Sequence, residues 1–399
     1  MPRGLAAPPT WLLGFGFLPL GINGGVTLIT MPQLLSGDHV PEQTISHVTA
    51  LALAAGFFSF LLSPILDWRF SRKTYALGLT CLCALSTFAV LMLEKHVAVL
   101  APLFFGSSLC AFLVCAAAGG WFGNFVASTE KNRLGAWFAA INIASGGGIA
   151  ILAIPLLRDL PYTIGAGVVA GLILMTAPLF LVIDCPPADG RLASESFANF
   201  ARDVGSVLKK PSVLWTLMLF VSPATAFALT NALGGFGRDF NTSERLVSLL
   251  GGAGVTVAGL VGSLVIPRIS TQIPPRTLYL LVGGTGAIFS LALILAPRNP
   301  ISFALALLGE NVFQAAAFSV SNLIMLRTLS DDDPLASTQV GMMLAASAVP
   351  LTYMQVIDGH AYSFHGVVGS FAADALISGG VCLVLALVLR LFRRRIPAI

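Results

Sequence analysis

The chain has 399 residues, of which 56% are hydrophobic and only 10% are charged, and its formal net charge is +4. A soluble domain carries about 25% charged residues, so this composition excludes an ordinary water-facing surface. Apolar runs of about 20 residues recur along the chain, and a helix of that length crosses about 30 Å of hydrocarbon. We therefore predict an all-α polytopic membrane protein.

Polar breaks divide the sequence into about twelve predicted membrane spans. The longest break lies between the sixth and seventh spans, and its later part has apolar residues at helical spacing. We predict a six-helix half at 1–183, a cytoplasmic linker with an amphipathic helix at 184–211, and a second six-helix half at 212–399. The predicted spans are residues 10–35, 44–66, 74–93, 97–127, 135–157, 162–183, 212–236, 246–266, 277–296, 301–326, 339–357 and 367–391.

The distribution of lysine and arginine predicts the orientation. With both termini on one side, that side collects 17 of the 22 cations. Loops rich in lysine and arginine stay on the cytoplasmic side. We therefore predict a multi-pass protein of the inner membrane with cytoplasmic N and C termini.

The two predicted halves contain similar segments. The polar stretch GDHVPEQTISHVT precedes the second span, and GRDFNTSERLVSLL precedes the eighth, about 200 residues later. Repeated halves are the organisation of many secondary transporters, which bind their substrate between the halves near the middle of the membrane. The halves are therefore predicted to be pseudo-symmetric.

The stretch SPILDWRFSRK concentrates one acid and three cations after the second span. A carboxylate at a helix end can pair with cations or face the positive N-terminus of a neighbouring helix. Asp67, Arg69, Arg72 and Lys73 are therefore candidate gating residues. The alternative is that these charges only fix the topology.

Twelve spans in two halves, with a basic loop after the second span, resemble the major facilitator superfamily. The loop motif of that family has the form G-x-x-x-D-R-x-G-R-K. Asp67 matches its acid, and Trp68 is an inserted residue. Arg69 matches the first cation, while Arg72 and Lys73 match the final pair.

Three further phrases, GDHVPEQTIS, FLLSPILDW and LGAWFAAINIASGGGIAI, resemble one branch of this superfamily. That branch contains AmpG-like muropeptide permeases, acetyl-CoA transporter-like proteins and siderophore importers. The resemblance implies a solute carrier that is driven by an ion gradient and imports its cargo. It does not fix the substrate, because these members carry chemically different cargo; a muropeptide-like solute, a siderophore-like solute and another mid-sized polar metabolite are the candidates. Coenzyme A esters are disfavoured, because no lysine or arginine is predicted inside the spans to bind their phosphates.

Glu310 is the strongest candidate for a functional residue, because the segment LALLGENVFQAAAF places it in the middle of the tenth span. An acid there is costly and usually faces the bundle interior or a water-filled cavity. Burial favours the neutral, protonated carboxyl group, so Glu310 is predicted to carry the coupling proton. The alternative is a structural acid that is satisfied by a hydrogen bond between helices.

Asp374, in GSFAADALISGG, is the second acid within a predicted span. We predict it as a further proton-coupling candidate, with a packing contact as the alternative. Asp358 and His360, in VIDGHAY, are predicted to be exposed loop residues at the outer end of the eleventh span.

Neutral polar residues are the candidates for contact with a substrate. The resemblance implies that spans one, four, seven and ten line a central cavity. Asn23, Asn231, Asn311 and Gln314 lie in these spans and are predicted to bind the substrate, with hydrogen bonds between helices as the alternative.

The fifth span carries an asparagine followed by a glycine cluster. Asn142 and Gly146 are four residues apart and share a helix face. Together with Gly147 and Gly148 they predict tight helix packing or a bend.

The sequence contains no phosphate-binding loop, no zinc-ligand spacing and no nucleophile turn. We therefore expect no enzyme activity, no cofactor, no metal site and no nucleic-acid partner. The expected partners are a small-molecule substrate, a proton or other ion and membrane lipid, and the protein is expected to be a monomer. The predicted function is proton-coupled import by alternating access. A non-transporting sensor or scaffold with the same fold and a proton-driven efflux carrier are the alternatives.

Overall fold

The computed structural model describes residues 8–184, 202, 204–330 and 333–391. These residues form helices joined by short connections, without a β-strand among them. By length and composition, ten of the described helices can cross a membrane. One of the ten, Ala336–Leu391, consists of two membrane-spanning helices separated by a turn at residues 365 and 366. The short helical pieces between residues 211 and 240 together form a further crossing. The predicted all-α polytopic fold is confirmed.

The twelve segments, named α1 to α12, lie close to the predicted spans. Apart from the end of the eleventh, each predicted end falls within four residues of the observed one. The segments are α1 (Thr10–Gly37), α2 (Glu42–Leu62, followed by the 3-10 turn Ser63–Asp67), α3 (Arg72–Met92), α4 (Val97–Phe125), α5 (Lys131–Asp159), α6 (Tyr162–Val182), α7 (211–240, in short pieces), α8 (Arg245–Ile269), α9 (Pro275–Ile294), α10 (Pro300–Thr328), α11 (336–364) and α12 (367–391).

The predicted linker and its amphipathic helix lie largely outside the described residues; residue 202 and residues 204–207 are helical. The division into halves at 1–183 and 212–399 stays a prediction. The segments before the linker meet those after it along several faces: α5 contacts α8 and α10, while α2 and α4 contact α11. We call the side of the bundle on which the described chain begins and ends the terminal side.

A glycine turn separates α11 from α12. Gly366 has φ 58° and ψ −148°, a conformation that residues with a side chain rarely adopt. The eleventh segment therefore runs to residue 364, where the sequence predicted a loop from residue 358. The placement of Asp358 in an exposed loop was wrong, because this side chain is only 2% exposed within α11. His360 lies in the same helix but is exposed, as predicted.

Close contacts join α1, α5 and α8. A Cβ atom at Gly21 would lie 2.1 Å from the carbonyl oxygen of Asn142, and one at Gly25 would lie 2.3 Å from that of Gly146. On the α8 side, a Cβ atom at Gly147 would lie 2.0 Å from the hydroxyl of Thr256. Small residues allow helix backbones to approach each other closely in membranes.

This geometry supports the predicted packing role of Asn142, Gly146 and Gly147. Gly148 has open space around its Cα, with no heavy atom within 4 Å of a Cβ placed there. The helix-packing prediction therefore has structural support at three of its four residues.

We predict that Gly366→Ala destabilises the protein. A Cβ at this position would meet no heavy atom within 4 Å, so the cost comes from the backbone conformation alone. That cost is about 1–3 kcal/mol, and we expect it to lower the thermal unfolding temperature of the detergent-purified protein. Gly359→Ala is the matched control, because Gly359 is helical, exposed and equally free of neighbours. Equal melting temperatures for the two variants would contradict the strained turn.

Candidate functional site

A buried charge network joins α2 to α11 on the terminal side. Asp67 ends the 3-10 turn after α2, and its side chain is fully buried. Its Oδ1 accepts a hydrogen bond from Arg72 Nε at 2.8 Å, and its Oδ2 accepts from the backbone N–H of Thr338 at 2.7 Å. The Thr338 hydroxyl and the Ser337 N–H donate to the same carboxylate at 2.8 and 3.3 Å.

Ser337 and Thr338 occupy the first turn of α11, where backbone N–H groups have no partner within the helix. These groups also form the positive end of the helix dipole. Asp67 therefore caps α11 with a carboxylate that comes from the other side of the linker.

Arg72 extends this network towards the connection that precedes α11. Its Nη2 donates to the carbonyl oxygens of Asp333 and Pro334, at 3.0 Å each. Asn124 donates to the same Asp333 carbonyl at 2.9 Å, and the Asp333 carboxylate lies 3.3 Å from Lys210 Nζ. The connection is thus held by groups from α3, α4 and the end of the linker.

Contacts between α5 and α10 complete the closure of the terminal side. Arg327 Nη2 donates to Asn132 Oδ1 at 3.3 Å, and a Cβ atom at Gly135 would lie 2.8 Å from the backbone nitrogen of Leu323. The segments before the linker therefore pack closely against those after it on this side.

Of the four predicted gating residues, the structure brings Asp67 and Arg72 to this interface. Lys73 Nζ instead donates to the carbonyl oxygens of Leu181 and Ile183, at 2.9 and 3.0 Å, near the end of α6. Arg69 is exposed, has a left-handed φ of 66°, and places its guanidinium 5.3 Å from the centre of the Trp68 ring.

A second buried polar site lies among α9, α10, α11 and α12. Glu310 of α10 is 0% exposed, and Ser290 of α9 donates a 2.5 Å hydrogen bond to its Oε1. Its Oε2 has no hydrogen-bond partner among the described residues. Burial of a polar group without a hydrogen-bond partner is costly. A proton or a ligand group that binds to this oxygen would therefore stabilise the site.

Asp358 of α11 and Asp374 of α12 share this region. They are 2% and 3% exposed, and each interacts electrostatically with Glu310 and with the other. Both carboxylate oxygens of Asp358 and the Oδ1 of Asp374 have no hydrogen-bond partner among the described residues. Burial and neighbouring acids both disfavour the charged form of a carboxyl group, so the cluster is suited to holding protons.

Glu310 and Asp374 were predicted within spans, whereas Asp358 was predicted in a loop. The available signal was periodicity: Pro350, Met354 and Asp358 are four residues apart and are all buried in α11. Continuing that spacing past residue 357 would have kept Asp358 in the helix.

Two of the predicted substrate-binding residues lie beside the acid cluster on α10. Gln314 Nε2 donates to Thr230 Oγ1 at 2.6 Å and to the carbonyl oxygen of Phe227 at 3.4 Å, where α7 is interrupted. Asn311 donates to Leu307 of its own helix at 2.8 Å. Glu310, Asn311 and Gln314 thus form one polar stretch of α10.

The other two lie apart from that stretch. Asn23 is 2% exposed and joins α1 to α4, because its Nδ2 donates to Ser107 at 3.0 Å and its Oδ1 accepts from Ser108 at 2.9 Å. This pattern favours the alternative in which Asn23 links two helices. Asn231 is exposed on α7, next to the Thr230 that Gln314 contacts.

Solved structures of transporters share this fold. The proton:xylose symporter XylE, bound to 6-bromo-6-deoxy-D-glucose, is 12% identical with a TM-score of 0.72, and the match covers 98% of this chain and 95% of that one. The E. coli fucose:proton symporter FucP is 13% identical with a TM-score of 0.66, over 95% and 97% of the two chains. A bacterial homologue of the iron transporter ferroportin, in an outward-facing state, is 14% identical with a TM-score of 0.63, over 95% and 100%.

At these identities the structural likeness establishes the fold alone. A search of the curated proteins found no match. The sequence profile of the Major Facilitator Superfamily, a family of transporters and not of enzymes, matches residues 13–349. Because that match covers most of the chain and the fold agrees with it, the protein belongs to the Major Facilitator Superfamily.

Proposed function

We propose that the protein is a proton-coupled secondary active transporter that imports a small or mid-sized polar solute. The observation that carries this proposal is the buried acid cluster of Glu310, Asp358 and Asp374. A transporter driven by protons needs an acid that changes its protonation as access alternates between the two sides of the membrane, and buried intramembrane acids serve in proton relays. The fold shared with two proton symporters is consistent with this role.

In the proposed cycle, the two halves at 1–183 and 212–399 rock around a central site. The structure corresponds to the state in which the terminal side, which we assign to the cytoplasm from its excess of cations, is closed. Glu310 takes up a proton from the opposite side together with the cargo. When the Asp67 network separates, the proton and the cargo leave on the cytoplasmic side of the inner membrane.

We further propose that the polar stretch of α10 contacts the cargo. Asn311 and Gln314 offer neutral donors and acceptors beside Glu310, and Asn231 lies on the neighbouring α7. Such a site suits a polar cargo that is uncharged or weakly charged. The sequence phrases that resemble AmpG-like permeases and siderophore importers make muropeptide-like and siderophore-like solutes the first cargo classes to test, with the protein acting as a monomer.

Glu310→Gln should uncouple transport from the proton gradient. The glutamine keeps the size of the side chain and its polar contact with Ser290 but holds no exchangeable charge. In proteoliposomes with an inward gradient of one pH unit, one coupled proton supports about tenfold accumulation of cargo. We expect this ratio to fall to about 1 in the variant, while exchange of labelled for unlabelled cargo continues.

The measurement is uptake of peptidoglycan fragments, siderophores and monosaccharides by each protein. Glu130→Gln is the control, because Glu130 is an acid on the terminal side whose bond to Arg133 is exposed. Gradient-driven accumulation that is equal in Glu310→Gln and wild type would remove Glu310 from the coupling mechanism. Cargo accumulation under an outward gradient only would favour the efflux alternative.

Asp358→Asn should remove one protonatable carboxyl group from the membrane interior. We expect the pH-difference infrared spectrum to lose intensity from protonated carboxyl groups, because one of three interacting acids is gone. His360→Gln is the matched control, since this residue lies two positions away on an exposed face of α11. An unchanged carboxyl signal in Asp358→Asn would exclude this residue from the proton-holding cluster.

Asp67→Asn should favour opening of the terminal side. The substitution removes a buried charge that caps α11, an interaction worth up to about 2 kcal/mol. We expect the ratio of open to closed states to rise by up to about thirtyfold. The reporter is Val340→Cys, because Val340 is 0% exposed in the closed interface and faces α4.

The rate of maleimide labelling at Val340→Cys measures this opening. It should increase when Asp67→Asn is added and should stay unchanged when Glu130→Gln is added instead. The same labelling rate in all three backgrounds would show that Asp67 does not hold the interface closed.

A further inference from the structure

A deep groove runs between α9 and α12 on the outer, lipid-facing wall of the bundle. Its volume is about 1200 Å³, and its walls are formed almost entirely by apolar side chains of the two helices. None of the residues that line it in the described part of the chain belongs to the Asp67 network or to the acid cluster. A flat apolar surface would need no special occupant in a membrane, whereas a concave one must be filled.

Two glycines create much of this space. Gly284 of α9 and Gly380 of α12 both line the groove, and a Cβ at either position would meet no heavy atom within 4 Å. The groove is therefore open at these two positions, although a Cβ at the neighbouring Gly379 would lie 3.2 Å from Ala287 Cβ of α9. The space at Gly284 and Gly380 is free because these two glycines have no side chain.

The groove has the length of one leaflet. It extends along α9 from Arg276 at the terminal side to Leu291, fifteen residues later. At 1.5 Å per residue this distance is about 22 Å. Half of a bilayer, headgroup region included, is about 20–22 Å thick, so the groove accommodates one lipid of the adjacent leaflet from its headgroup to the end of its acyl chain.

Positive charge is concentrated at the terminal end of the groove. Arg276 begins α9 and Arg390 lies at the end of α12, and both line the groove. Among the residues that line it in the described part of the chain, none is acidic. Basic residues between membrane helices at the level of the headgroups attract anionic lipids.

We propose that this groove is a binding site for an anionic phospholipid. The phosphate group lies at Arg276 and Arg390, and one acyl chain passes Gly284 and Gly380 along the groove. An anionic phospholipid is complementary to both features of the groove: the positive charge at the level of the headgroups and the apolar walls that extend through one leaflet. A neutral lipid would satisfy only the second.

Native mass spectrometry of the detergent-purified full-length protein tests the proposal. The probes are phosphatidylglycerol and phosphatidylcholine with identical palmitoyl and oleoyl chains. We expect one phosphatidylglycerol molecule to be retained several-fold more tightly than phosphatidylcholine. Arg390→Gln should weaken this retention about fivefold, the effect of one cation near a membrane surface.

Gly284→Leu and Gly380→Leu should abolish the tight adduct, because each leucine fills the groove without meeting a backbone atom. Gly78→Leu is the matched control, since Gly78 is an exposed glycine of α3 that also has no heavy atom within 4 Å of its Cβ position. This variant should retain phosphatidylglycerol as wild type does. If a leucine variant does not fold, Arg390→Gln provides the decisive comparison.

Three results would overturn the proposal. Equal retention of the two lipids would remove the role of the arginines. Unchanged phosphatidylglycerol binding in folded Gly284→Leu and Gly380→Leu would place the lipid elsewhere. A dimer that becomes a monomer in these two variants, while lipid retention stays constant, would show that a second copy of the chain fills the groove.

Discussion

Every backbone N–H and C=O group within the hydrocarbon must find its hydrogen bond inside the protein, and this constraint determines the rest of the structure. Long helices satisfy it along most of the chain. Where a helix begins or breaks in the interior, a side chain has to supply the missing partner. Asp67 does so for the first turn of α11, and Gln314 does so at the interruption of α7 through the carbonyl oxygen of Phe227. The polar residues that matter most in this protein are therefore found at the ends and gaps of helices.

The same constraint explains what could be predicted from the sequence. Spans of the length needed to cross a membrane are readable from hydropathy, and so are the loops that carry cations. The pairings of individual side chains depend on which helices become neighbours, and hydropathy does not contain that information. Thus Asp67, Arg72 and Lys73 were predicted as parts of one group, but nothing in the sequence shows that Arg72 bonds to Asp67 while Lys73 bonds to the end of α6. Asp358 was wrongly predicted to lie in a loop, because an acid followed by a glycine has the composition of a loop even when the acid is buried in a helix.

The structure also places its two polar sites on one helix. α11 begins at the Asp67 network and contains Asp358, which lies twenty residues after Thr338. That separation is about 30 Å of helix, and Pro350 lies between the two sites. A proline inside a helix removes one backbone hydrogen bond and is a point at which the helix can bend. In the proposed cycle, a displacement of the terminal end of α11 therefore reaches the acid cluster through this helix, with Pro350 as the point of bending.

The tight turn at Gly366 couples α12 to the movement of α11 in the proposed cycle. A long connection would let α12 stay fixed in the lipid while α11 tilts. Two residues, His365 and Gly366, leave no slack of that kind. In the proposed cycle the two helices move as a single hairpin, and α12 moves its outer surface through the surrounding bilayer each time the interface opens. Work done against the membrane is then part of the energy of the proposed cycle, and the composition of the bilayer is expected to influence its rate.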